Sequence, residues 1–202
     1  HRDLHSFPTR RSSDLKKAAL ESFQKAVEQY SVDLSEIKAL QGGTWPSWPS
    51  GSDIVDILTG IGGLPKGRIV ECYGKPSSGK STLFFTCAGK IQKMGKKVIL
   101  LDFERTFDPS WAQTLGLDPS DTSTFLWVQS EDLKTTEQGF NLIYKFLDSD
   151  FADDIGIIIW DSLAGSTPAA IANKEEVEDT TRRAARASVL SDELPRLAEK
   201  LR

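Results

Sequence analysis

The stretch GRIVECYGKPSSGKSTLFF, residues 67–85, carries the reading on which the fold rests. Residues 68–73 form an apolar run suited to a buried strand, and residues 81–94 have the spacing of a helix. Between them Gly74-Lys75-Pro76-Ser77-Ser78-Gly79-Lys80-Ser81 fits G-x-x-x-x-G-K-[ST] at every fixed position. The glycines let the backbone curl so that its N–H groups point inward at phosphate oxygens. Lys80 then reaches the β- and γ-phosphates of a nucleotide, and Ser81 places its hydroxyl on Mg²⁺. The helix that follows aims its N-terminus at the same phosphates. A Gly/Ser-rich turn without a ligand is the competing reading, and the strand before and helix after it argue against that.

Working outward, strand-like and helix-like segments alternate. Residues 97–103, 124–128 and 155–161 read as strands; residues 110–115, 131–148 and 182–201 read as helices. Unbroken apolar strands separated by helices predict a mostly parallel sheet with helices on both faces, an α/β core of the phosphate-loop NTPase kind.

Such a site needs an acid at the tip of a second strand. Asp161 emerges at the carboxyl end of residues 157–160, where open α/β sheets bind ligands, and is expected to hold Mg²⁺ through water. Otherwise it is a strand-ending Asp that caps the next turn. Residues 98–104 end a third strand in Asp102 and Glu104. Glu104, at the very tip, is the candidate group to orient and deprotonate water, with Asp102 supporting it. A solvated strand end is the other reading.

Composition narrows the partners. The net charge is -4 and 39% of residues are hydrophobic, so bulk charge does not draw in nucleic acid and any DNA contact needs a local patch. Arg182 and Arg183 supply local positive charge suited to phosphate, or else form an ordinary exposed first turn. The only histidines are His1 and His5, which excludes His-based zinc sites and Ser-His-Asp chemistry from the body of the chain. Two lone cysteines, Cys72 and Cys87, suggest a reducing cytoplasm and plain packing. No apolar run is long enough to span a membrane and no signal peptide opens the sequence.

The single methionine is Met94, so the chain is not expected to begin at its own start codon. Residues 1–14 read as a non-native, adapter-derived tail, or as a disordered native arm. Residues 15–30 repeat apolar positions at helical spacing, giving an amphipathic helix that either folds onto its own domain or docks on a neighbouring subunit. Residues 41–52, rich in Gly, Pro, Ser and Trp, read as a linker without regular structure, and the core begins at residue 53.

With these motifs assembled, the sequence resembles the bacterial RecA recombinase family. The resemblance rests on GGLPKGRIVE (62–71), SSGKST (77–82), FERTFDPSWA (103–112) and IIIWDSLAGSTP (157–168), in the family's order and spacing, and runs from about residue 51 to 186. It implies an ATP- and Mg²⁺-dependent enzyme that polymerises as a filament on single-stranded DNA, pairs it with a homologous duplex and serves recombination and repair. The helix at 15–30 resembles the family's polymerisation helix. Gly74, Ser77, Ser78, Gly79, Lys80, Ser81 and Thr82 match the nucleotide cradle. Glu104 matches the catalytic glutamate and Asp161 the metal-side aspartate. Trp111 falls where the family stacks a tyrosine on adenine, and Asp108 where an acid faces the adenine amino group. The first DNA loop falls at residues 169–181, and Arg186 matches an arginine the family uses near DNA. Departures are Arg105 in place of a histidine, and a first loop that lacks glycines and carries extra acid.

The family pattern also places a further strand between the phosphate-loop strand and the strand of Asp161. It would follow the helix ending near residue 202, with a second DNA loop and a small C-terminal domain beyond it. The chain taken alone is therefore expected to leave strand edges unpaired. Alternative functions are another motor of the same fold, RadA-type or a ring helicase, and a nucleotide-binding filament paralogue without turnover.

Overall fold

The computed structural model of the chain describes residues 21, 45–129, 133–172 and 178–201. The expected helix at 15–30 lies outside them except for Glu21, which is helical and exposed. The chain divides into two compact units, residues 1–44 and 45–202, so the second unit begins inside the segment read as a linker. That segment is also more regular than expected. Ser47–Trp48 (β1) pairs antiparallel with Leu64–Pro65 (β2). Pro46 and Pro49 flank β1 rather than interrupt it, so their missing N–H groups cost no ladder bond. Lys66 closes the pair, its Nζ lying 3.5 Å from the Trp48 ring centre.

Between these strands runs α1, Asp53–Thr59, an element that the periodicity did not disclose. Its ends nonetheless carry readable signals. Asp53 and Asp56 sit in the first turn, favourable to the helix dipole, and Gly60 ends the helix in the left-handed region at φ 71°.

The main sheet has three parallel strands in the order β4-β3-β5. The central strand β3 is Lys97–Asp102; Phe125–Gln129 (β4) and Ile155–Asp161 (β5) pair with it on either side. The helices are α2 (Lys80–Lys93), α3 (Pro109–Thr114), α4 (Thr136–Leu147), α5 (Ala169–Ala172) and α6 (Asp179–Lys200). Side chains of β3 alternate. Val98 and Leu100 enter a core with Phe85, Ala88 and Ile91 of α2 and Ala112 of α3. Ile99 and Leu101 enter a second core with Phe140 and Ile143 of α4 and Leu197 of α6. Both faces of the sheet are thus covered by helices, the arrangement the alternation of segments predicted.

The helix expected from residue 131 starts later, at Thr136, because Thr135 and Gln138 form a capping box. Cys87 is fully buried and burial pushes its thiol up to about 12, while Cys72 is half-buried; both are free thiols.

One expected element is absent. Residues 68–73 are not paired as a strand; Ile69 and Val70 are partly exposed and Tyr73 is 87% exposed. The physical reason is pairing. An apolar run becomes a strand only beside a neighbour that offers N–H and C=O groups, and within the main sheet β5 is hydrogen-bonded to β3 alone.

Candidate functional site

The phosphate loop is shaped by two residues in the left-handed region, Ser77 at φ 59° and Gly79 at φ 90°. Glycine accepts this freely, whereas Ser77 is held there at a cost, an arrangement usual where backbone N–H groups are turned inward. Gly74 admits the loop's return, since a Cβ there would lie 2.9 Å from Ser78 Oγ. α2 begins at Lys80, directly after Gly79. The Lys80 ammonium folds back across the loop and donates to the Gly74 and Lys75 carbonyls at 3.2 and 3.0 Å. Thr82 lies in the same first turn of the helix.

Ser81 reaches from α2 to the tip of β5, donating through Oγ to Asp161 Oδ2 at 2.8 Å. This contact joins two residues 80 positions apart, the pair expected to share one metal. Burial raises Asp161 above the ordinary carboxylate range; the Ser81 hydrogen bond opposes this, the nearby charges of Glu104 and Asp102 add to it, and Lys80 moderates it. Three acids at adjacent strand tips, with one lysine nearby, leave room for positive charge. The donor set is oxygen alone, hydroxyl and carboxylate, which suits a hard cation such as Mg²⁺ that keeps water and phosphate in its shell. Among the described residues, no group of three or more His, Cys, Asp or Glu side chains stands ready to hold a metal by itself.

Glu104 follows β3, and its backbone N–H donates to the Asp161 carbonyl at 3.3 Å, as does Phe103 at 2.8 Å. The Glu104 carboxylate accepts a short hydrogen bond from Ser162 Oγ, and that same oxygen accepts from the Gly165 N–H at 3.2 Å. The Ser162 contact was not anticipated from the sequence, where Ser162 merely follows the aspartate. Asp102 is 2% exposed and accepts from Thr106 N, Phe107 N and Trp127 Nε1, each at 3.3 Å. It therefore fixes the path of residues 103–107 toward α3.

On α3, Asp108 caps the helix, its Oδ1 accepting from Ser110 N at 2.8 Å and Trp111 N at 3.2 Å. Trp111 is half-exposed. Arg182 and Arg183 stand apart from the nucleotide residues, exposed on the first turns of α6. Arg186 is turned inward: its Nη2 donates to the Ala164 and Ser166 carbonyls at 2.9 and 3.0 Å. Residues 173–177 of the expected DNA loop lie outside the described residues, and 169–172 form α5.

The family model for the RecA N-terminal domain matches residues 16–202. The chain belongs to the RecA family. It is 37% identical over 153 residues to Protein RecA of Xanthomonas campestris, a match covering 76% of this chain and 38% of that protein. It is 33% identical over 162 residues to Protein RecA of Aquifex pyrophilus, covering 80% of this chain and 42% of the relative. With Protein RecA of Thermus thermophilus it shares 35% identity over 160 residues, 77% of this chain and 44% of the relative. Matches to these RecA proteins thus span 38–44% of their length.

Proposed function

We propose that this chain is the nucleotide-binding part of an ATP-dependent DNA recombinase. The Ser81–Asp161 hydrogen bond carries the reading. It joins the phosphate loop to an acid at a second strand tip, with Glu104 on the neighbouring tip, as hydrolysis of a Mg²⁺-bound nucleotide requires. Bound ATP would lie with its phosphates on the N–H groups of residues 74–79 and the N-terminus of α2. Lys80 would exchange its two carbonyl partners for phosphate oxygens. Ser81 and Asp161 would hold Mg²⁺, the latter through water. Bound Mg²⁺ supplies charge neutralisation at the phosphates. Glu104, aligned by Ser162, would orient and deprotonate the attacking water. Trp111 would stack on adenine, with Asp108 beside its amino group.

Single- and double-stranded DNA are the proposed macromolecular partners, together with further copies of the chain in a helical filament. Arg182 and Arg183 offer exposed charge to phosphates, and Arg186 stands one turn behind them. Free thiols suit a cytoplasmic setting, and among the described residues no helix is long and apolar enough to cross a membrane. The biological role is recombination and repair of damaged DNA.

The test is DNA-stimulated ATP hydrolysis by the full-length protein. Glu104→Gln is expected to keep nucleotide binding and lose hydrolysis by about 10²–10⁴-fold, the range of general base catalysis. Lys80→Ala is expected to lose both. Hydrolysis unchanged in both variants would sink the assignment.

A further inference from the structure

Arg186 lies two helical turns into α6, on a helix that contributes no other side chain to the nucleotide site, yet it is bonded to the turn that carries Ser162. That turn, Leu163–Gly165, is also packed by the candidate catalytic glutamate: a Cβ on Gly165 would lie 3.0 Å from Glu104 Cγ. Inside the turn, Gly165 N–H donates to Ser162 Oγ and Ser166 Oγ donates to the Leu163 carbonyl at 2.9 Å. Ser166 itself is 1% exposed and accepts from the fully buried Thr136 hydroxyl at 3.0 Å. The turn is thus held between α4, α6 and Glu104. Only the α6 side is held by a long, charged donor that spans two carbonyls.

We propose that Arg186 is a positioning residue for Glu104. Its guanidinium clamps the carbonyls of Ala164 and Ser166, which sets the turn, which places Ser162 Oγ on the Glu104 carboxylate. The inference deepens the proposed function and rests on it: α6 begins at Asp179, inside the segment expected to meet DNA, so a movement of α6 would reach the catalytic carboxylate through this side chain. Arg suits the task and Lys does not. Both bonds leave Nη2, whose two N–H groups are fixed in the guanidinium plane, whereas an ammonium offers a point charge on a mobile stem.

The experiment uses the full-length protein with Arg186→Lys, which keeps the charge available to DNA phosphates, and with Ser162→Ala. Three readouts are taken: the kcat and KM for ATP with single-stranded DNA present, the salt dependence of binding to a single-stranded oligonucleotide, and amide hydrogen exchange in residues 162–166. Arg186→Lys is expected to lower kcat at least about tenfold with KM within about twofold. The salt slope should be unchanged. Exchange in the turn should be faster. The double variant should lose little more than Ser162→Ala alone, because both act through one contact. Wild-type kcat in Arg186→Lys, additive losses, or a parallel loss of DNA affinity would each overturn the proposal. Unchanged exchange would remove the clamp whatever the kinetics. Absence of DNA-stimulated hydrolysis in the wild-type protein would sink the functional reading and the catalytic consequence together, while the clamp would still be decided by exchange.

Discussion

Asp161 is the side chain whose surroundings say most about the site. Burial raises its proton affinity in the folded protein above that of the unfolded chain. The sign follows from linkage. The resulting stabilisation is present below the unfolded carboxylate value of 3.8 and is lost as pH rises through the raised folded value. Ionisation of the half-buried carboxylate therefore works against folding until a cation meets it. In the full-length protein without divalent metal, Asp161→Asn is expected to melt at the same or a higher temperature near pH 7. With Mg²⁺ and ATP the wild type should gain several degrees that the variant does not. Thermal melts with and without metal check both halves, and a large metal-free loss in the variant would contradict the reading. The neighbouring contacts differ in how visible they are in the sequence. Lys80 and Ser81 stand at fixed spacing within a short motif. Ser162 and Glu104 meet across 58 positions, and no local pattern announces that.

Among the elements, α4 shows how packing overrides propensity. Gly139 is the fourth residue of the helix, where alanine would favour the helix by at most about 1 kcal/mol. A Cβ there would lie 2.4 Å from the Trp160 ring. That ring cannot retreat easily, since it stacks on Phe103 at 4.8 Å and meets Phe140 at 5.1 Å. Overpacking of this kind costs about 1–3 kcal/mol, so the loss should win. Gly139→Ala in the full-length protein is expected to be destabilised by about 1 kcal/mol in denaturant titration; a more stable variant would show that β5 and α4 have room to part. β3 and α4 were readable because β3 is an unbroken buried apolar run and α4 buries residues at helical spacing. α1 was missed because seven residues flanked by glycines hold too few turns to establish a period, although Asp53, Asp56 and Gly60 mark its ends.

Taken whole, the described part of the chain leaves apolar surface and strand edges uncovered. Ile54, Ile57 and Leu58 on α1 are each more than 70% exposed, and Ile69, Val70 and Tyr73 lie outside any sheet. Each backbone group buried without a partner costs about 1–3 kcal/mol, and contiguous exposed apolar groups favour association. The 202-residue chain expressed alone is therefore expected to aggregate or to melt without cooperativity, as measured by size-exclusion chromatography and calorimetry. A soluble monomer with a single sharp transition would refute this. A longer protein in which these open edges are paired should melt cooperatively.

Local chemistry is what could be read from residues alone. The phosphate loop, the order of strands and helices along the chain, and the acids at strand tips all follow from turn residues, unbroken apolar runs and the helical period of 3.6. Pairing could not be read in this way. Whether residues 68–73 become a strand depends on a neighbour's hydrogen bonds and not on their own apolar character. Whether Arg186 faces DNA or the turn behind Ser162 depends on carbonyls 20 and 22 positions away. In each case the deciding partner is distant in the chain, so only the folded arrangement could choose it.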